Sequence, residues 1–214
     1  MSNAIHPTAI ISPKALIGDG NSFGPFTIVY DNVEIGDNNV FTSHVSIGSP
    51  PEHKFSSENH GVVIGSNNIF REFITINAGT EHETRIGSFG YFMRGTHFGH
   101  DCQVHDHVTL ACNSIIGGHT IIMDYANLGL GAITHQQILI PQGCMLGAGS
   151  FAPKNLYEPW TIYMGTPAKK YKDNIIGKQR ANLTHEQLRE LEIKELSLRG
   201  SQRAAYDSKR PDYK

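Results

Sequence analysis

An all-β chain wound into a parallel β-helix is the fold this sequence predicts, and three observations predict it. Apolar residues recur at every sixth position, at Ile5, Ile11, Ile17, Phe23, Val29, Ile35, Phe41 and Ile47. The same beat resumes after two interruptions, first at Ile64, Phe70 and Ile76, then at Ile86, Phe92, Phe98, Val104, Leu110, Ile116, Ile122 and Leu128, with Ile140 and Leu146 beyond. A glycine often follows the apolar residue, as at Gly18, Gly36, Gly87, Gly99 and Gly117. An amphipathic helix repeats near 3.6 and a half-exposed strand at 2. A sustained six-residue period belongs instead to a prism of short strands and bends, with one apolar side chain per hexad pointing inward. Glycine relieves the bend that follows.

The elements follow in order. Residues 4–48 form unbroken hexads and make the first coils. Asn38-Asn39 and Asn67-Asn68 suit tight bends, because Asn tolerates the left-handed conformation. The spacing then stretches from Ile47 to Ile64 and again from Ile76 to Ile86, which predicts loops near 49–63 and 77–85. Insertions at the bends of a solenoid tend to gather on a binding face. The beat fades after Ala152, so the β-helix is placed at 1–156 and an irregular exit with a helix at 157–199. Thr184 and Gln187 form a capping box for that helix, with Leu188, Leu191 and Leu196 offering one apolar face. Residues 200–214 read as a polar tail.

Composition excludes several classes. The net charge of −2 over 214 residues gives no basic field for nucleic acid or an acidic membrane. No run of about 18 apolar residues suggests a membrane span. Met1-Ser2-Asn3-Ala4 carries no secretory signal, and Cys102, Cys112 and Cys144 make no disulfide framework, so a cytoplasmic protein is expected.

The repeat also sorts the histidines. Three hexads make one coil, so residues eighteen apart stack, about 4.8 Å from coil to coil. With Phe98 inward, His97, His100 and Asp101 are expected to face outward. One coil beyond His100 lies Gly118, then Gln136; one coil beyond Asp101 lies His119, and His135 adjoins Gln136. Imidazoles, a carboxylate, an amide and a Gly-Gly backbone therefore meet on one outer surface. That set suits acyl transfer, with His100 as general base, Asp101 to orient it and the Gly118 N–H to meet an oxyanion. Cys102 takes an inward core position, so no nucleophile is evident and direct transfer is favoured. Isolated histidines such as His6, His44, His105 and His107 read as ordinary bend residues. His100 and His105 have a spacing found in the zinc site of β-helical carbonic anhydrases, but a third ligand is missing and no metal is expected.

The ordered set Ile5-His6-Pro7-Thr8-Ala9, Ser46-Ile47-Gly48-Ser49-Pro50-Pro51, Arg71 to Thr80, His97 to Cys102, Gly117-Gly118-His119 and Thr134-His135-Gln136 resembles the UDP-N-acetylglucosamine acyltransferases of lipid A synthesis over residues 4 to about 180. The resemblance implies a left-handed coil, a cytoplasmic homotrimer with active sites between subunits, an acyl carrier protein thioester as donor and a UDP-amino sugar as acceptor, with no bound cofactor. It makes His100 the base, Asp101 its partner and Gly118 the oxyanion donor. It makes His97 and His119 sugar contacts, His135 and Gln136 donor-side contacts, and Lys54, Asn174 and Arg180 nucleotide or carrier contacts.

The chain departs from that pattern in three places. The first loop reads Glu52-His53-Lys54, one residue short of the family's, and its sugar-binding Asp is replaced or displaced. Ile176 and Ala181 stand where the family has a Glu and a phosphate-binding Arg, and the helical C-terminal domain is truncated. Gly165-Thr166-Pro167-Ala168-Lys169 is closer to short-chain sugar acetyltransferases. An acetyl-CoA-type nucleotide-sugar N- or O-acyltransferase is therefore the alternative reading. A γ-type carbonic anhydrase and a non-catalytic β-helix are more remote.

Overall fold

The computed structural model describes residues 2–56 and 58–208. Short strands, most of two residues, are joined by tight turns and visit three sheets in strict rotation. The sheets have ten, eight and seven strands and form the first, second and third faces of a prism. All pairings are parallel except the last, where Lys169–Asp173 runs antiparallel to Thr161–Met164. This is the parallel β-helix with hexapeptide repeats that the six-residue beat predicts.

The register shows how the coils stack. Phe98 pairs with Ile116, and Ile116 with Thr134, eighteen residues apart each time. Ile76 pairs with Phe98 and Ile47 with Ile76, so each insertion bulges out while the coils on either side stay in contact. Inward residues fill the prism: Phe23, Phe41, Phe70 and Phe92 stack in one column with centroids 5.0, 4.8 and 4.9 Å apart. All four are at most 1% exposed, and burying each such ring contributes about 1.5–3 kcal/mol.

The turns repeat a left-handed residue. Asn38 and Asn67 have φ of 57° and 61°, as their residue type led one to expect, but Phe26, Phe73, Phe89 and His107 adopt it too. The turn from the third face to the first is tied internally by an asparagine ladder. Asn39 Nδ2 donates to Asn21 Oδ1 and to the Gly65 carbonyl, while Asn39 Oδ1 accepts from the N–H and the side-chain amide of Asn68. We call this edge the asparagine corner.

The chain closes on two helices, α1 (Ile175–Ala181) and α2 (His185–Ser208). The capping box of α2 is present: Gln187 N–H donates to Thr184 Oγ1 and Thr184 N–H to Gln187 Oε1. The helix runs past Arg199 to Ser208, into the stretch expected to be a polar tail; residues 209–214 lie outside the described residues. It lies along the side of the coils and is held mainly by polar contacts. Lys194 bridges to Asp124, and the buried Glu195 accepts from Gln142 N–H and Arg199. Leu196, expected on the apolar face, is exposed; Leu198 packs against Ile121, Met123 and Leu139 instead.

Candidate active site

Counting faces along the chain locates every candidate. The strands Ser46–Ser49, Thr75–Asn77, His97–Phe98, Ile115–Ile116 and Ile133–Thr134 all belong to the second face. Both insertions, the His100-Asp101 turn, the Gly118-His119 turn and His135-Gln136 follow these strands. They therefore share one edge of the prism, the histidine corner.

Asp101 organises that corner. It does not face outward, as its place in the hexad suggested, but is 1% exposed. The second insertion folds over it. The backbone N–H groups of Thr80, Glu81 and His82 and the Thr80 hydroxyl all donate to its two oxygens at 2.8–3.0 Å. Its own N–H donates to Thr84 Oγ1. Gly79 allows this approach, since a Cβ there would collide with the His82 carbonyl oxygen and stand 3.0 Å from Asp101 Oδ1. Burial by itself would raise the Asp101 pKa, but the donated hydrogen bonds from residues 80–82 and His100 outweigh it and hold the carboxyl well below the usual carboxylate range. The residue is a fixed anion.

His100 Nδ1 lies 2.6 Å from Asp101 Oδ2. A carboxylate only accepts, so Nδ1 carries the proton, and in the neutral ring Nε2 keeps its lone pair. The ring lies against Gly118, where a Cβ would come within 2.8 Å of the imidazole. A side chain at 118 would therefore displace the ring, and among the described residues the Gly118 N–H has no acceptor. A general base and a backbone donor thus stand side by side, the pairing that acyl transfer needs.

Other imidazoles surround this pair. The His119 ring is perpendicular to His100 at 5.1 Å, with Nε2 3.5 Å from Asp101 Oδ2. His97 hydrogen-bonds through Nδ1 to Thr75 Oγ1 at 2.8 Å. Burial pushes the His97 pKa down, with the Glu52 carboxylate opposing. His53, from the first insertion, meets His100 edge-on at 5.3 Å, and His82 meets His119 at 5.7 Å. Cys102 is wholly buried, and burial pushes its thiol up to about 12, which removes it as a nucleophile.

The remaining sequence candidates divide. His135 and Gln136 are exposed on the same corner one coil on, with His135 Nδ1 3.1 Å from the Gln136 carbonyl oxygen. Lys54 is in the first insertion, its ammonium 5.4 Å from the Phe55 ring centre. Within one chain Asn174 and Arg180 are not brought to this corner. Asn174 caps α1, accepting from Gly177 N–H and donating to the Gly143 carbonyl at the asparagine corner. Arg180 is exposed on α1. His105 also lies at the asparagine corner, its Nδ1 3.9 Å from Asp124, so it forms no ligand set with His100 in this chain.

Sequence reasoning missed His53, Thr80 and His82 as members of the site. The signal was available, because Ile47, Ile76 and Phe98 occupy the same position in the three-face rotation. Both insertions must therefore open on the edge that carries His100.

Residues 14–49 match the bacterial transferase hexapeptide (six repeats) family. The acyl-[acyl-carrier-protein]–UDP-N-acetylglucosamine O-acyltransferase of Anaeromyxobacter dehalogenans (strain 2CP-1) is 36% identical over 207 residues, covering 86% of this chain and 80% of that protein. The enzyme of the same name from Thermodesulfovibrio yellowstonii is 33% identical over 210 residues, covering 86% and 80%. The crystal structure of UDP-N-acetylglucosamine O-acyltransferase from Moraxella catarrhalis superposes with a TM-score of 0.78 at 29% identity, covering 86% and 80%. With these relatives spanning most of its length, the chain belongs to the UDP-N-acetylglucosamine O-acyltransferase family and is an acyltransferase.

Proposed function

We propose that this protein transfers an acyl group from an acyl carrier protein thioester to a hydroxyl of UDP-N-acetylglucosamine. The observation that carries the reading is the His100–Asp101 pair at 2.6 Å with Gly118 against the ring. The relatives named above supply the donor and the acceptor. His100 Nε2 takes the proton of the sugar hydroxyl as its oxygen attacks the thioester carbon. The Gly118 N–H receives the developing oxyanion. The tetrahedral intermediate collapses, the C–S bond breaks, and the carrier's thiolate takes the proton from His100. Asp101 stays ionised throughout and holds the Nδ1–H tautomer.

In this reading His97 and His119 border the sugar, and His135 and Gln136 the acyl donor. Lys54 and the shortened loop around His53 meet the nucleotide sugar. Asn174 and Arg180 take part only when a second subunit brings them to the cluster, as a homotrimer with sites between subunits would. A cytoplasmic location belongs to the same reading; none of the described helices is long and apolar enough to cross a membrane.

A panel of acyl carrier protein thioesters of several chain lengths, acetyl-CoA and several nucleotide sugars tests it, with products read by mass spectrometry. O-acylated UDP-N-acetylglucosamine formed from a carrier thioester is the expected product. Product from acetyl-CoA alone, or acylation of a different nucleotide sugar in preference, would replace this reading with the short-chain alternative. Ala181 in place of an arginine removes a charge-assisted contact to phosphate, so UDP-N-acetylglucosamine should bind roughly 10- to 150-fold more weakly than to a relative with that arginine. Titration calorimetry measures it.

A further inference from the structure

The second insertion does more than cover Asp101. It carries Glu81 and His82 outward over the next coil, where they meet His119. One donor atom from each of the three lies within 4.8 Å of the others, with Glu81 exposed and both imidazoles half-buried. We propose that Glu81, His82 and His119 form a binding site for a divalent transition-metal cation of the zinc class, on the edge of the cleft and sharing His119 with the acyl-transfer site.

Three arguments support it. Two imidazoles and a carboxylate are a donor set that zinc accepts with a fourth position left to water. The borderline nitrogen donors favour Zn²⁺, Co²⁺ and Ni²⁺ over Mg²⁺ and Ca²⁺, which prefer all-oxygen shells. Secondly, a buried anion already stands behind both imidazoles. Asp101 Oδ1 is 3.7 Å from His82 Nδ1 and Oδ2 is 3.5 Å from His119 Nε2. At these distances a buried anion favours a cation held by the two imidazoles. Thirdly, the geometry is within easy reach. Zinc–nitrogen bonds of about 2.0–2.1 Å at tetrahedral angles require donors roughly 3.3–3.5 Å apart. The three donor atoms lie within 4.8 Å of one another, so a side-chain adjustment on binding draws them to that spacing. A second set, His100, Asp101 and His119, is as close together, but its carboxylate is already taken by the loop amides, the Thr80 hydroxyl and His100. It therefore supports the site and does not ligate.

The test is equilibrium Zn²⁺ binding to the metal-free full chain, by competition with a chromophoric chelator, with Co²⁺ absorption reporting the ligand field. About one Zn²⁺ per chain is expected, undisturbed by excess Mg²⁺. Losing a supporting partner of a metal ligand costs 10–100-fold in affinity. Loss of the ligand itself in His82→Ala should cost more than about 100-fold, and Glu81→Gln, which keeps its backbone N–H on Asp101, at least about 10-fold. His135→Ala, on the same corner but outside the cluster, should bind as the parent does. Thermal unfolding of each variant checks that the coil is intact. Absence of saturable binding by the parent, or stoichiometric binding retained by both cluster variants, would overturn the proposal. Inhibition of acyl transfer by zinc is a consequence that rests on the proposed activity; the binding measurement does not.

Discussion

The histidine corner and the asparagine corner are built on the same coil and differ in what their polar groups face. At the asparagine corner the groups serve one another from coil to coil. Asn21, Asn39 and Asn68 are at most 1% exposed and mutually bonded, and Asp37 and Asp106 accept the N–H groups of Asp19 and Ser88 beside them. His107 is absorbed as well, stacking between Phe89 and Tyr125 at 4.9 and 4.6 Å. At the histidine corner two insertions break the ladder. Amides of the second insertion turn onto Asp101, which holds one nitrogen of His100 and leaves the other facing the cleft. What sets the histidine corner apart is a buried carboxylate, Asp101, shared among imidazoles.

The largest difference should appear when the same change is made at both corners. His100→Ala is expected to lower turnover by roughly 10²–10⁴-fold, the usual contribution of a general base, with cooperative unfolding retained. His107→Ala should leave turnover within about twofold, since that ring only stacks, an interaction of about 0.5–1.5 kcal/mol. Steady-state kinetics on both variants makes the comparison; equal losses would erase the distinction between the corners.

Stability should respond in the opposite sense. Asn39→Ala leaves the Asn68 N–H and the Gly65 carbonyl without their partner. At about 1–3 kcal/mol for each orphaned group, a loss of about 2–6 kcal/mol is expected in urea unfolding. A smaller change at the histidine corner sharpens its account. Thr80→Val removes one donor from Asp101 and keeps the three amides. Turnover should fall by roughly 10-fold, in line with the about 1.5–3 kcal/mol of a hydrogen bond to a charged group partly offset by the donors that remain. Restoration by Thr80→Ser would confirm that the hydroxyl acts by holding the carboxylate.

The mildest effect at neutral pH concerns Asp101 itself. Its pKa is held below the unfolded value of about 3.9. Its contribution to stability is therefore complete above that value and is lost as pH falls through the lower folded pKa. Unfolding followed from pH 6 down to about pH 2 should show the parent losing more stability than Asp101→Asn. Parallel curves would mean that the carboxylate is not stabilised as its hydrogen bonds require.

Much of this was legible in the residues. The six-residue beat specified the coil because a side chain can enter the prism only once per strand. The stacking of Gly118 on His100 and of His119 on Asp101 followed from the eighteen-residue coil. The burial of Asp101 was not legible, because a hexad position says which way a residue leaves the strand and not what folds over it. Nor were His53, Thr80 and His82, whose loops leave the repeat and with it the periodicity that gives a sequence position a place in space. The Asn174 and Arg180 assignments came from the family resemblance, and within one chain Asn174 instead caps α1 beside Gly143.

By itself, then, the sequence determined the coil, its register and the edge on which His100 stands, since each follows from the local period and from steric demands within one strand and bend. Only the tertiary structure decided that Asp101 is a buried, multiply bonded anion, that His53 and His82 join the cluster, and that Glu81, His82 and His119 converge. Those features depend on how two irregular loops fold against a surface made by residues distant in the chain. The free energy that selects such a conformation lies in long-range hydrogen bonds, and no short stretch of sequence contains both partners.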